Sequence, residues 1–249
     1  MKKQNNDKTQ ELLSVLFGTL KELGYEITKE FNILDFGCRN GDYVKALRKD
    51  GFKAYGCDLA FKEGSYVDFL EKEKLIRLID SKPYRLPFDD NFFDLVFSHT
   101  VFEHVQNYSE TLSEINRVLK PGGTSLHIFP SRYRFIESHV YVPLASIIQQ
   151  YGWLMLWAKL GIRNEHQKGM SAQQIASNNY NYLKNHTTYY TNFQIISYVR
   201  ENFNEFKFCE LIAAKYSRMG GWYFILKRLP FASQFINTFY TKILFFKKK

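Results

Sequence analysis

The stretch Ile33-Leu34-Asp35-Phe36-Gly37-Cys38-Arg39-Asn40-Gly41 limits the architecture more than any other part of the chain. An apolar run ends in an acid, Gly37 and Gly41 follow, and Tyr43, Val44, Ala46 and Leu47 recur at helical spacing. The pattern predicts a buried strand, a tight turn and a helix. Such a turn leaves backbone N–H groups free at the helix start, where a carboxylate or phosphate can sit. Gly37 lets a ligand approach the backbone without a Cβ in the way. A dinucleotide turn of the form Gly-x-Gly-x-x-Gly begun at Gly37 needs glycines where Arg39 and Asp42 stand, so this pattern does not match.

Short apolar strands alternate with helical patterns for the next hundred residues. Phe31 to Phe36 reads as strand one, Phe52 to Cys57 as strand two ending in Asp58, and Leu75 to Ile79 as strand three with Asp80 at its end. Phe92 to Ser98 is strand four and delivers His99. A helix from Ser109, its expected cap, to Lys120 is stopped by Pro121-Gly122-Gly123, and Thr124 to Phe129 makes strand five. The alternation predicts a doubly wound, mostly parallel sheet with helices on both faces. An acid about twenty residues beyond the glycine turn, as Asp58 is, can accept hydrogen bonds from both hydroxyls of a ribose.

Leu86-Pro87-Phe88, Phe93-Asp94-Leu95-Val96, Glu103-His104-Val105, Glu114-Ile115 and Arg117-Val118-Leu119-Lys120-Pro121-Gly122-Gly123 follow the glycine turn in order. Together with Asp35, Gly37 and Gly41 they resemble the small-molecule branch of the class I S-adenosylmethionine-dependent methyltransferases, from about Phe31 to Pro130. The resemblance implies a Rossmann-like, seven-stranded sheet whose last strand pair contains one antiparallel strand. It also implies S-adenosylmethionine as cofactor and S-adenosylhomocysteine as product. Asp35 and Gly37, with Cys38 and Gly41, would line the methionine end and Asp58 and Leu59 the ribose. Asp80, Leu86, Ser98 and His99 complete the expected cofactor set. Two positions depart from the pattern: Arg39 replaces the middle glycine of the turn, and Pro83 stands where the family usually has an acid three residues before the Leu-Pro-Phe element.

Methyl transfer from a sulfonium needs alignment and exclusion of water more than covalent help, with a base only when the acceptor carries a proton to lose. His139, Glu137 and His99, near the ends of strands five and four, are the candidate catalytic residues, His139 being preferred as base. His104 is expected to brace its turn. Glu103 with His104, and Glu137 with His139, are pairs without a third ligand, and Cys38, Cys57 and Cys209 are scattered, so no metal site is expected.

The remainder divides into a disordered tail over 1–10, a cofactor-binding half over 11–130, an insertion or acceptor-side lid over 131–190, the end of the sheet over 191–228 and a basic aromatic tail over 229–249. The insertion should hold an apolar helix from Val142 to Trp157. Phe206 to Ile212 and Trp222 to Leu226, flanking Met219-Gly220-Gly221, are the expected last strands. Phe193, Ile196, Val199 and Phe203 mark a helix between.

Polar residues and no apolar segment at the start point to a cytoplasmic chain. The net charge of +9 favours anionic partners. No nucleic-acid module is recognisable, leaving nucleic-acid methylation resting on charge alone. The expectation is a monomer or homodimer acting on a small-molecule, glycan or lipid-linked acceptor, with the lid helix and the tail either in peripheral contact with an anionic membrane or packed against the sheet or across a dimer interface. A noncatalytic scaffold retaining the fold is the alternative, and Arg39 is its support.

Overall fold

Side chains alternate between two apolar layers along every central strand, and this alternation organises the molecule. The computed structural model describes residues 2–62, 65–217 and 220–249. Its elements begin α1 (Lys2–Glu22), β1 (Asn32–Phe36), α2 (Asp42–Lys49), β2 (Lys53–Asp58), α3 (Ser65–Lys72), β3 (Ile76–Leu78), β4 (Phe93–His99), α4 (Tyr108–Val118) and β5 (Leu119–Pro130). They continue with α5 (Tyr151–Lys159), α6 (Ala172–His186), α7 (Asn192–Asn202), β6 (Glu205–Phe208), α8 (Glu210–Ala214), α9 (Gly220–Leu226), α10 (Ala232–Phe239) and β7 (Thr241–Lys247). The sheet runs β3-β2-β1-β4-β5-β7-β6, with β7 antiparallel to both neighbours and the other pairs parallel. The Rossmann-like, seven-stranded expectation is met.

Ile33, Leu95, Phe97, Leu126 and Ile243 point to one face, where α1 and α2 contribute Leu16, Leu20, Val44 and Leu47. Leu34, Val96, Phe129 and Leu244 point to the other, against Leu112 and Ile115 of α4 and Ile195, Val199 and Phe203 of the α7 region. The inserted segment carries its own apolar cluster of Val140, Val142, Leu154, Ala158, Ile175, Ala176 and Leu183. Ser171 and Thr191 cap α6 and α7 in reciprocal capping boxes with Gln174 and Gln194, which is why both helices begin where they do. Arg117 ties Glu114 and Asp90 to the carbonyls of Leu86 and Phe88, fixing the Leu-Pro-Phe turn.

Several expectations are corrected. Residues 2–10 belong to α1 rather than to a disordered tail, Met1 lying outside the described residues. Asn107 rather than Ser109 takes the cap position of α4. The lid helix begins only at Tyr151, because Pro143 enters an isolated bridge with Ile136. The buried stripe of α7 is Ile195 and Val199, leading to Phe203, while Phe193 is 82% exposed. The largest change is at the carboxyl end: Trp222–Leu226 is helical, Met219 lies outside the described residues, and Thr241–Lys247 of the presumed tail is a strand between β5 and β6. A strand covered on both faces shows no polar alternation, so its apolar run with flanking lysines imitates a surface segment. Lys242 of this strand is buried beside Asn192 and Asn237, and burial pushes its pKa down to about 8.

Behind the site, β5 carries His127, fully buried between Ser98 and Ser125. The Ser125 hydroxyl donates to the Val96 carbonyl, so it accepts from His127 Nε2–H, and Ser98 donates to Nδ1. Burial lowers the His127 pKa to about 3. The unfolded chain takes up this proton near pH 6.5 and the folded chain does not, so the contribution is intact above pH 6.5 and falls as pH drops toward 3. Each unit in that window costs up to about 1.4 kcal/mol. Urea denaturation at pH 7 and 4.5 should show a wild-type loss that His127→Gln lacks. Equal slopes for the two proteins would refute the assignment.

Candidate active site

The carboxyl ends of β1, β2, β4 and β5 meet at one edge of the sheet, and the turn after β1 supplies its floor. Gly37 has φ of 82° and donates its N–H to the Cys57 carbonyl, 2.8 Å away. Arg39 also lies in the left-handed region, at φ 48°, the conformation a glycine would take without strain. Its backbone N–H donates to Asp58 Oδ2 at 2.8 Å, while Leu59 N–H donates to Oδ1 at 2.7 Å. The Asp58 carboxylate is thus locked to the turn, and each of its oxygens keeps a lone pair for a ligand hydroxyl.

Asp35 is 2% exposed, and its Oδ2 has no hydrogen-bond partner among the described residues. Burial raises its pKa well above the usual carboxylate range, and Asp58 and Asp42 nearby add to the effect. A buried acid without a partner, beside two further acids, suits a cationic ligand. The ammonium and sulfonium of S-adenosylmethionine supply that charge, so the residues present fit the implied cofactor. Asp35, Gly37 and Gly41 would hold its methionine end and Asp58 its ribose.

Other expected cofactor residues serve the interior. Leu86 is fully buried, its N–H donating to Glu114, and the Ser98 hydroxyl is given to His127. The Cys38 side chain is buried against Gly56. Leu59 is exposed at the end of β2. Asp80 is exposed in a short hairpin with Tyr84–Arg85, beyond the end of β3.

The candidate catalytic residues part company. His99 Nδ1 pairs with the Tyr43 hydroxyl at 3.0 Å, and both line a cleft of about 440 Å³ with Ile128 and side chains of α1. His139 lines a different cleft of about 550 Å³, between the inserted segment and the Arg39 side chain, with His166, Asn178 and Tyr182. Glu137 lies behind His139, 1% exposed, and accepts from His139 Nδ1, His139 N, Val140 N and the Tyr189 hydroxyl at 2.5–2.7 Å. Burial opposes its ionisation, but the hydrogen bonds from His139, Tyr189 and Val140 outweigh it and hold the pKa below the usual value. This contact places a proton on His139 Nδ1, so the neutral ring has its lone pair on Nε2. Glu137 thereby fixes the orientation of the His139 ring.

The fold also joins two pairs that looked separate in the sequence. Glu103, His104 and His139 place one ligand atom each within 4.8 Å of one another. His104 donates from Nδ1 to the His186 carbonyl at 2.6 Å, which leaves its Nε2 bare as well. Glu103 is buried, and its pKa rises to about 7 through loss of solvation. The missing signal was long-range: Ile136 to Val140 must fold back over the Glu103 turn, and no local spacing encodes that.

This sheet order, with its glycine turn and an acid ending β2, is similar to that of class I S-adenosylmethionine-dependent methyltransferase domains. Residues 34–126 match the family described as a methyltransferase domain. A demethylmenaquinone methyltransferase of Staphylococcus aureus is 36% identical over 159 residues, covering 54% of this chain and 62% of that protein. An uncharacterised protein of Methanocaldococcus jannaschii is 35% identical over 118 residues, covering 47% and 48% respectively. The chain thus spans about half to three fifths of the length of these curated relatives. The solved structure of Haemonchus contortus phosphoethanolamine N-methyltransferase 2 with S-adenosyl-L-methionine aligns at a TM-score of 0.52 and 18% identity, over 96% of this chain and 52% of that one. That likeness is one of fold.

Proposed function

We propose that the chain transfers a methyl group from S-adenosylmethionine to a small-molecule or lipid-linked acceptor held in the cleft between Arg39 and His139. The observation that carries the reading is the buried, unpartnered Asp35 carboxylate under a glycine turn locked to Asp58. The cofactor supplies an activated methyl on a sulfonium that leaves as a neutral thioether. The chain's part is to bind, align and keep water out. Asp35 and the turn seat the cofactor, and the inserted segment covers the acceptor. The bare Nε2 of His139 is the group available to an acceptor proton. Arg39 supports this reading over a noncatalytic scaffold, because its exposed side chain faces the inserted segment while only its backbone serves the cofactor turn.

Calorimetry with S-adenosylmethionine and S-adenosylhomocysteine tests the proposal. Both should bind at one site per chain, and Asp58→Ala should weaken them by about 2–4 kcal/mol, since charge-assisted hydrogen bonds contribute ~1.5–3 kcal/mol each. Absence of binding by folded wild-type protein would sink the enzyme reading.

The Staphylococcus aureus relative is named for a demethylmenaquinone acceptor; we extend from it only the class, a small or lipid-linked molecule. Exposed residues of α9, α10 and the segment between them support a protein that rests on an anionic membrane: Phe224, Ile225, Leu229, Phe231, Phe235 and Phe239 are exposed, with Lys227 and Arg228 among them in sequence. Among the described residues no helix is long and apolar enough to cross a membrane. Removing 229–249 would excise β7, so substitution is the proper test. Phe231→Ser with Phe235→Ser should lower binding to anionic liposomes by roughly 10²–10⁴-fold, from ~1.5–3 kcal/mol per phenylalanine. Flotation unchanged by the double substitution, or absent in the wild type, would remove the membrane clause.

A further inference from the structure

We propose that Glu103, His104 and His139 bind one divalent first-row transition-metal ion of the zinc type at the wall of the acceptor cleft. Two imidazoles and one carboxylate are an established ligand set for such ions, with a further position left open for water or substrate. Here the three donor atoms already converge within 4.8 Å, with His104 Nε2 and Glu103 Oε1 3.9 Å apart. A zinc ion bonds nitrogen and oxygen at about 2.0–2.2 Å, so the set needs only a modest contraction around it.

Two further observations point to a ligand. Neither Glu103 oxygen has a hydrogen-bond partner among the described residues, although the side chain is 1% exposed. A buried carboxylate left in this state costs folding free energy unless something binds it. Secondly, both imidazoles are prepared as ligands. His139 gives its Nδ1 proton to the Glu137 carboxylate, and His104 gives its own to the His186 carbonyl, so both Nε2 lone pairs are free. Carboxylate and carbonyl partners of this kind orient metal-bound histidines and raise their basicity. An ordinary structural carboxylate would instead be expected to take the hydrogen bonds available around it.

The inference goes beyond the methyltransferase reading and stands without it. Where both hold, the ion would sit with protein on the Glu103 side and the cleft on the His139 side. It would take an acceptor oxygen at its open position. Coordination there would weaken the acceptor O–H bond, so its proton could leave with solvent before the cleft is sealed, and the oxygen lone pair would remain for the methyl group. His139 then acts as a ligand, and no separate base is required.

The untagged full chain, stripped with chelator and dialysed against Zn²⁺ and separately against Co²⁺, provides the test. The expected result is one equivalent of zinc by elemental analysis, visible-region Co²⁺ absorption with low coordination number, and a rise in melting temperature on adding Zn²⁺. Glu103→Gln should weaken Zn²⁺ affinity at least tenfold and abolish the thermal shift, while leaving the metal-free protein no less stable than the wild type. His104→Gln, at a partly exposed position, repeats the test if the buried substitution fails to fold. Substoichiometric zinc in the wild type, or equal zinc binding by the folded variants, would overturn the proposal. S-adenosylhomocysteine calorimetry on the same samples reads the cofactor site separately, so a lost metal and a lost cofactor are distinguishable.

Discussion

Gly37→Ala is expected to cost about 2–6 kcal/mol of folding stability and to abolish measurable cofactor binding. Two effects add. At φ 82° any residue with a Cβ is strained, by roughly 1–3 kcal/mol. The added Cβ would also stand 2.3 Å from Val101 Cγ2, 2.9 Å from its Cγ1 and 3.2 Å from its Cβ. Because the obstacle is a β-branched side chain, rotation of Val101 exchanges one clash for another, and overpacking of this kind costs roughly 1–3 kcal/mol. Against a typical total of about 5–15 kcal/mol this is a large fraction. Gly24 offers the control: its φ of 88° is similar but nothing lies within 4 Å, so Gly24→Ala should show only the backbone part. Adding Val101→Ala to Gly37→Ala should recover the steric part and leave the backbone part. Urea denaturation of the four proteins reads both, and a Gly37→Ala variant as stable as Gly24→Ala would dismiss the steric half.

The same turn shows why the front of the chain was legible. Strand, turn and helix from Ile33 to Leu47 are consecutive, and their apolar periodicity and glycines are local signals. The blocks from Leu86 to Gly123 were legible through their ordered resemblance to a family pattern; in the fold Arg117 clamps the Leu-Pro-Phe turn from 27 to 31 residues away. The carboxyl end was misread because apolar runs of seven residues fit a strand or a buried helix equally. Gly220–Leu226 became a helix with exposed Phe224 and Ile225, while Thr241–Lys247 became a strand paired with β5 on one side and β6 on the other.

That Gly37 and Asp58 lie together could be read from spacing, and Asp35 from the resemblance, since one turn brings the three together. Leu86 and Ser98 could not, because a residue in a family block can as well be clamped into the core as face a ligand. The separation of His99 from His139 into two clefts depends on where α1 and the inserted segment lie. Neither is encoded near the histidines. Glu103 was read only as half of a pair with His104, because the approach of His139 and the lack of partners on its oxygens exist in three dimensions and no sequence pattern records them.

The second large effect is expected at Glu137, through its hold on His139. The carboxylate faces donors on both oxygens: His139 Nδ1–H and the Tyr189 hydroxyl on Oε1, and the N–H groups of His139 and Val140 on Oε2. In Glu137→Gln one oxygen becomes an NH₂. The two backbone N–H groups cannot turn into acceptors, so the amide oxygen must stay with them and the NH₂ must face the imidazole. His139 then accepts at Nδ1, its proton moves to Nε2, and the lone pair offered to the cleft is lost. A wrong imidazole tautomer of this origin lowers turnover by as much as ~10⁴ where an acid orients a catalytic histidine. A loss of about 10²–10⁴ is therefore expected here in methyl transfer, once an acceptor is in hand. The tautomer can be read without one: long-range ¹H–¹⁵N correlations should show His139 Nε2 unprotonated in the wild type and protonated in Glu137→Gln. Cofactor affinity should stay within about twofold, because Asp35, Gly37 and Asp58 are untouched, a shift worth less than ~0.5 kcal/mol. A variant with Nε2 still unprotonated would show that Glu137 does not set the tautomer, and the positioning role would pass to another partner of the ring.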